Sequence, residues 1–150
     1  MRFVIPMRWQ VMAMLLGCMS MAHAVDFVSV RDASAILYDG PSIKAKKLFV
    51  VNRYMPFEQV VTLNSWVKVR DRSGGLYWIE KRALSNERYV YTLNPLVDVR
   101  AEPDQKSPRV FQVRQQIALE MIESTGTGWI KVRHRDGNNG YVRSTDVWGE

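Results

Sequence analysis

The sequence predicts an all-β chain of two tandem small β-barrels that follow an N-terminal signal peptide. The first observation is an internal repeat, because Trp66–Arg70 (WVKVR) returns 63 residues later as Trp129–Arg133 (WIKVR). The second is an aromatic-aliphatic pair twelve residues after each Trp, Trp78-Ile79 and then Tyr141-Val142. The third is that the apolar segments are short, rich in β-branched and aromatic residues, and separated by Gly, Pro, Asn and Asp, which is typical of strands. A period near sixty indicates a duplicated domain rather than a solenoid.

The residues upstream of each Trp align as well. Leu37–Pro41 corresponds to Val99–Pro103 at an offset of 62. The extra residue of the second copy falls in 124–128, where a hairpin loop tolerates a change in length. We therefore assign the two domains to residues 25–85 and 86–150, and we expect each to be a five-strand meander that closes into a barrel.

The first 24 residues have the composition of an export signal. Arg2 and Arg8 supply the positive end, Val11–Leu16 is an apolar run, and Ala22–Ala24 is a small-x-small cleavage motif. We expect cleavage after Ala24 and a periplasmic protein. The apolar run is far shorter than the roughly 20 residues that span a bilayer, so no membrane span is expected after removal of the signal.

Cys18 gives an alternative fate for this segment. The run Leu15–Cys18 resembles the lipobox of bacterial lipoproteins, in which the Cys is acylated and becomes the first residue of the mature protein. The alternative localisation is therefore a protein anchored to lipid through Cys18.

The composition after the signal argues against catalysis. Residues 25–150 contain 19 Lys and Arg against 15 Asp and Glu, a net charge of +4, and no Cys for a disulfide, a nucleophile or a metal. Their only His, His134, is flanked by Arg133 and Arg135 and shares the core-side register of its strand, which favours a structural role near a turn. We expect no enzyme activity, no metal site and no cofactor.

These features together resemble tandem bacterial Src-homology-3-type (SH3-like) domains. The residues that carry the resemblance are Leu37–Ser42, the following Lys44–Leu48, and the two Trp-x-Lys-Val-Arg strands with the Gly-containing turns after them. The resemblance implies a small barrel of envelope proteins that binds peptidoglycan peptides or positions a partner. It also implies a ligand groove with Tyr38 on one wall, where the second copy carries Arg100 instead.

Strand alternation predicts a ligand face independently of that resemblance. Side chains two apart on a strand share a face, which groups Trp66, Lys68 and Arg70 in the first copy. The matching set in the second copy is Trp129, Lys131 and Arg133. An indole beside two cations suits a carboxylate-bearing peptide or an anionic sugar polymer.

Two other interpretations of the Trp residues remain open. Each Trp can instead cover a small hydrophobic core, with the cations only solvating the strand. Alternatively, both Trp residues face the contact between the copies, which leaves Tyr38 and Trp78 as the exposed aromatic contacts.

The sequence therefore favours an exported, non-enzymatic binding module of the cell envelope that recognises a peptidoglycan peptide or glycan. The alternative is an adaptor between envelope proteins. A binder of single-stranded nucleic acid fits the basic charge, although export argues against it.

Overall fold

A computed structural model of the protein describes residues 25–150. The predicted signal peptide, its cleavage site at Ala24 and the candidate lipidation site Cys18 lie outside the described residues. Within the part of the chain that is described, no helix is long and apolar enough to cross a membrane.

The first domain is one antiparallel sheet with the strand order β3-β2-β6-β5-β4-β1-β7. Its strands are β1 (Phe27–Val30), β2 (Ser34–Tyr38), β3 (Lys47–Asn52), β4 (Pro56–Leu63), β5 (Trp66–Arg70), β6 (Leu76–Glu80) and β7 (Leu84–Ser85). A single 3-10 turn, Lys81–Ala83, connects β6 to β7.

The second domain repeats this topology in the order β10-β9-β13-β12-β11-β8-β14. Its strands are β8 (Tyr89–Thr92), β9 (Leu96–Arg100), β10 (Arg109–Arg114), β11 (Ala118–Ser124), β12 (Trp129–Arg133), β13 (Asn139–Arg143) and β14 (Val147–Trp148). Its 3-10 turn is Ser144–Asp146.

The all-β fold class with two small units is confirmed, but the expectation of five strands per unit is wrong because each sheet has seven. The additional strands are short segments at the ends of each domain. In the first domain, β7 contributes two residues that pair with Ser29 and Val30 of β1. Such a short segment has too few residues to reveal alternation, so only its partner identifies it as a strand.

Each sheet buries its apolar face around a separate core. The largest fully buried side chains are Phe57 and Ile79 in the first domain and Leu119 and Ile130 in the second. A single sheet encloses such a cluster by curling around it. In the strand order, β3 lies at one edge of the first sheet and β10 at the same edge of the second.

The two domains contact each other through aromatic side chains of β1, β8 and β14 and of the turn between β3 and β4. Phe27 packs edge-on against Trp148 with ring centroids 5.2 Å apart, and Tyr54 stacks on Tyr89 at 4.2 Å. Burial of the Tyr89 hydroxyl, followed by the nearby Tyr54, raises the pKa of Tyr89 to about 12.

The linker between the domains is also bonded. Ser29 Oγ of β1 donates a 2.7 Å hydrogen bond to the carbonyl of Glu87, and Arg88 donates one of 2.9 Å to the carbonyl of Gly149. The linker between β7 and β8 is therefore hydrogen-bonded to both domains.

Candidate ligand-binding site

The strands that begin with Trp66 and Trp129 present alternate side chains to opposite faces. Val67 and Val69 are buried in the first core, whereas Trp66, Lys68 and Arg70 lie half-buried on the outer face. The second copy has the same arrangement, with Trp129 and Lys131 half-buried and Arg133 exposed. The predicted grouping is therefore present, while ligand binding by these residues stays a prediction.

In the first domain, the outer-face side chains contact one another. Tyr38 is buried edge-on against Trp66, with ring centroids 5.2 Å apart. The Lys68 ammonium lies 5.8 Å from the ring centroid of Trp78, its cross-strand partner. This face is therefore covered by aromatic packing.

Arg70 is engaged by a carboxylate across the strand pair. Its Nη1 donates hydrogen bonds of 2.8 and 2.9 Å to the two oxygens of Glu58, which is the register partner of Arg70 on β4. A ligand carboxylate at Arg70 would have to compete with Glu58.

In the second domain, Lys131 and Arg133 repeat these contacts. The Lys131 ammonium lies 5.9 Å from the ring centroid of Tyr141, and Arg133 lies 3.4 Å from a carboxylate oxygen of Glu120. Trp129 differs from its counterpart, because it borders a cavity of about 400 Å³. The charged and polar residues that line this cavity with Trp129 are Asn94, Asp98, Arg100, Gln105, Gln112, Arg143 and Asp146.

The cavity lies where the second domain has Arg100 in place of the Tyr38 of the first domain. The aromatic ring that packs on Trp66 in the first domain is replaced by a guanidinium, which turns toward β9 and the following loop. Arg100 donates hydrogen bonds to the Ser107 carbonyl at 2.8 Å and to Asp98 at 3.2 Å. Gly140 allows β13 to approach β9 closely, since a Cβ there would lie 2.5 Å from the Arg100 carbonyl oxygen.

Arg143 and Asp146 form the opposite side of the cavity. Arg143 donates to both carboxylate oxygens of Asp146, at 2.9 and 3.2 Å, and Asn94 donates to the same carboxylate at 2.8 Å. Asp146 is buried in the 3-10 turn, while the Arg143 side chain stays 46% exposed. A guanidinium has five N–H donors, and Arg143 uses two of them on Asp146, so its outer edge is available to a ligand.

Asp98 is the second carboxylate of the cavity. Gln112 donates a 2.7 Å hydrogen bond to it, and the guanidinium groups of Arg109 and Arg100 lie at 3.5 and 3.2 Å. The hydrogen bond from Gln112, followed by these two charges, lowers the pKa of Asp98 below its ordinary value. Asp98 is therefore ionised at neutral pH and fixed by its neighbours.

A second groove continues on the other side of Trp129. Its volume is about 750 Å³, and Gln105, Trp129 and Arg143 line both spaces. The indole lies between the two spaces and directly follows Gly128, which has a φ of +86° that residues with a side chain rarely adopt. The Gly128 carbonyl accepts a 2.9 Å hydrogen bond from the backbone N–H of Ser144. Together the two spaces form a groove with an indole at its centre, which we name the Trp129 groove.

Sequence reasoning identified Trp129 but missed the other polar groups of the Trp129 groove. Its cations are Arg100, Lys106 and Arg143. Lys131 and Arg133 lie farther along the sheet, on Tyr141 and Glu120. The available signal was the alignment of Arg100 with Tyr38, because an arginine at the position from which Tyr38 packs on Trp66 leaves space beside Trp129.

His134 occupies the turn after β12. Its Nδ1 lies 3.0 Å from an Asp136 carboxylate oxygen, and its ring lies 5.9 Å from that of Phe111. The backbone N–H of Asn138, and secondarily His134, lower the pKa of Asp136. In the part of the chain that is described, no three His, Cys, Asp and Glu side chains are placed to hold a metal ion.

Neither Trp lies in the contact between the domains, since Trp66 packs on Tyr38 of its own domain and Trp129 borders its own cavity. The aromatic contacts between the domains are instead Phe27 with Trp148 and Tyr54 with Tyr89.

Comparison with solved structures gives distant similarity. NlpC2 from Trichomonas vaginalis is 12% identical with a TM-score of 0.39, over 85% of this chain and 49% of that one. NlpC1 from the same organism is 14% identical with a TM-score of 0.39, over 92% and 50%. An NlpC/P60 family protein from Bacillus cereus is 15% identical with a TM-score of 0.38, over 81% and 55%. This chain thus spans about half the length of each.

Comparison with protein families is more specific. No curated protein matches the sequence. Two family models, both described as bacterial SH3 domain, match residues 31–86 and 95–147. These are families of binding domains rather than catalytic ones. The predicted resemblance is confirmed, and the chain belongs to the bacterial SH3 domain proteins, with two such domains in tandem.

Proposed function

We propose that this protein is an exported binding protein of the cell envelope, and that the Trp129 groove of its second domain recognises a peptidoglycan peptide or glycan. The observation that carries the proposal is the cavity beside Trp129, edged by the guanidinium groups of Arg100 and Arg143. The membership in bacterial SH3 domains supports a binding role.

The groove suits a ligand that has both charges and a flat or apolar part. Arg100 and Arg143 offer donors to a carboxylate, and Asp98, whose side chain is 35% exposed, offers an acceptor to an amine. Short wall peptides carry both groups, and a sugar ring or peptide plane stacks on an indole. The cavity volume of about 400 Å³ lies within the range of ligand pockets, roughly 300–1,000 Å³.

The two domains are expected to contribute unequally. Tyr38 covers Trp66 in the first domain, so that face has less open indole for a ligand than the second. Wall binding should therefore depend on Trp129 far more than on Trp66.

Cosedimentation of the full chain with purified cell-wall sacculi tests this proposal. We expect retention of the wild-type protein, loss of about tenfold or more in Trp129→Ala, and near-normal retention in the matched variant Trp66→Ala. Thermal unfolding of both variants controls for loss of fold. A single-stranded oligonucleotide should not displace the protein, and no soluble wall fragments should appear. Equal retention of Trp129→Ala and wild type would contradict the proposal.

Export is tested at the N-terminus of the protein recovered from cells. Cleavage after Ala24 gives a mature chain that begins at Val25, and Cys18→Ser leaves that mass and the periplasmic location unchanged. A mature chain that begins with acylated Cys18 would instead establish the lipid-anchored form.

A further inference from the structure

A second cavity, of about 640 Å³, lies between the two domains and away from Trp129. One wall is Phe49–Asn52 of β3, and the opposite wall includes Tyr91–Leu93, at the end of β8, and Trp148. Since each domain supplies one wall, this cleft exists only in the tandem protein. We name it the interdomain cleft.

The wall formed by β3 is the edge of its sheet. β3 pairs with β2 on one side only. Between Lys47 at its beginning and Asn52 at its end, which are both exposed, the strand exposes apolar side chains, with Phe49 55% and Val50 71% exposed, while Val51 is buried in the core. An exposed apolar edge strand carries unpaired N–H and C=O groups that can pair with a further strand.

The equivalent strand of the second domain is protected. β10 is also a sheet edge, but Gln112 stands where β3 has Val50, and it donates its hydrogen bond to Asp98. Arg109 and Arg114 are exposed on the same strand. Polar and charged side chains are the usual protection of an edge, so Gln112 and Arg114 give β10 more of this protection than Val50 and Asn52 give β3.

The interdomain cleft is lined mainly by aromatic and aliphatic side chains. Phe49 lies edge-on against Tyr77, with ring centroids 5.5 Å apart. Trp148 is fixed from behind by Phe27 at 5.2 Å, which holds the opposite wall in place. These walls suit apolar side chains, while the strand edge requires a partner with backbone donors and acceptors. An extended peptide satisfies both requirements, whereas a sugar polymer lacks the backbone N–H and C=O groups that pair with a strand edge.

We propose that the interdomain cleft binds an extended polypeptide segment of another protein, which adds as a strand to the free edge of β3 and places apolar side chains against Phe49 and Trp148.

The size of the cleft favours a single strand over a second copy of this chain. In a second copy, β3 is already hydrogen-bonded to β2, so symmetric pairing of two β3 strands would bring a whole sheet between the domains. A space of about 640 Å³ accommodates a short peptide but not a sheet with its core.

Titration calorimetry of the full chain with synthetic eight-residue peptides tests this proposal. The peptides alternate Thr with Val, Ile, Leu, Phe or Tyr and carry Lys at both ends. We expect at least one to bind with a Kd below about 1 mM, which corresponds to about −4 kcal/mol. The same peptide with methylated amide nitrogens keeps its side chains but loses its backbone donors, so it should bind about tenfold more weakly or worse.

Two matched variants locate the site. Val50→Lys adds a charge at the exposed edge of β3 and should weaken peptide binding about tenfold or more. Val110→Lys makes the same change on the edge strand of the other sheet, where Val110 is 49% exposed, and should leave binding unchanged. Bound peptide should also slow hydrogen exchange of amides in residues 47–52.

Four results would overturn the proposal. They are no binding by any peptide of the set, equal binding of the methylated peptide, unchanged binding by Val50→Lys, and dimerisation of the protein that Val50→Lys abolishes. The last would assign the edge to a second copy of the chain. Trp129→Ala should leave peptide binding intact, which separates this proposal from that for wall binding.

Discussion

The substitution Arg100→Tyr gives the second domain the residue that the first carries at the aligned position. In the first domain Tyr38 packs edge-on on Trp66 at 5.2 Å. We expect the introduced tyrosine to pack on Trp129 in the same way and to fill part of the cavity of about 400 Å³. Wall binding should then fall about tenfold or more, because both the cation and the open indole face are lost.

The expected change in stability is small. Arg100 gives up its ion pair with Asp98 at 3.2 Å and its hydrogen bond to the Ser107 carbonyl at 2.8 Å. Hydrogen bonds to charged groups contribute about 1.5–3 kcal/mol each when buried, and less here because the Arg100 side chain is 25% exposed. The new aromatic pair of the introduced tyrosine with Trp129 should stabilise the fold by about 0.5–1.5 kcal/mol. Asp98 keeps its bond from Gln112, so we expect a net loss of about 1–2 kcal/mol.

Cosedimentation with sacculi and urea unfolding measure the two effects on the same protein. Arg114→Tyr is the matched control, because it removes an exposed arginine of β10 that is absent from the cavity lining. A folded Arg100→Tyr protein that binds sacculi as tightly as wild type would refute the reasoning. So would an equal loss of binding in Arg114→Tyr, since general positive charge would then explain retention.

Three further predictions concern stability. Phe57→Ala and Leu119→Ala each empty a fully buried core position and should cost about 3–5 and 2–5 kcal/mol, with hydrogen-exchange protection falling first in the substituted domain. The pKa of Asp98 in the folded state is lowered from 3.8, so ionised Asp98 stabilises the fold above pH 3.8, and this stabilisation is lost as the pH falls through the lower folded-state pKa. Asp98→Asn should therefore flatten the fall in Tm between pH 5 and pH 2. An unchanged slope would contradict this. The pKa of Tyr89 is raised to about 12, so the folded state retains this proton and loses stability between pH 10 and 12; ultraviolet titration should show a late tyrosine ionisation that Tyr89→Phe removes.

Much of the fold could be predicted because its signals are local. Two-residue alternation placed Val67 and Val69 inside and Trp66 outside, as the structure has them. The loops at 125–128 and 134–138 join strands as the Gly, Asn and Asp residues there indicated. The repeat correctly predicted two copies of one small β unit, and the two sheets have the same strand order.

The details of the candidate site depend on contacts between distant strands. Sequence reasoning treated Arg70 as a free cation, but Glu58 lies opposite it on the neighbouring strand and binds it. Arg143 and Asp146 are three residues apart, yet only the 3-10 turn between them brings both to the side of Trp129. Register and turn geometry of this kind do not appear in residue spacing alone.

The hydrogen-bonded linker holds the Trp129 groove and the interdomain cleft, the two proposed binding surfaces, at a fixed separation. Ser29 holds the carbonyl of Glu87, and the stack of Tyr54 on Tyr89 resists rotation of one domain against the other. A protein that engages the wall at one surface and a polypeptide at the other then presents the second ligand at a high effective concentration near the first, without the loss from a long flexible tether. Avidity in such a protein is set by the geometry of the domain contact, so loosening that contact should weaken bivalent attachment while leaving each single affinity unchanged.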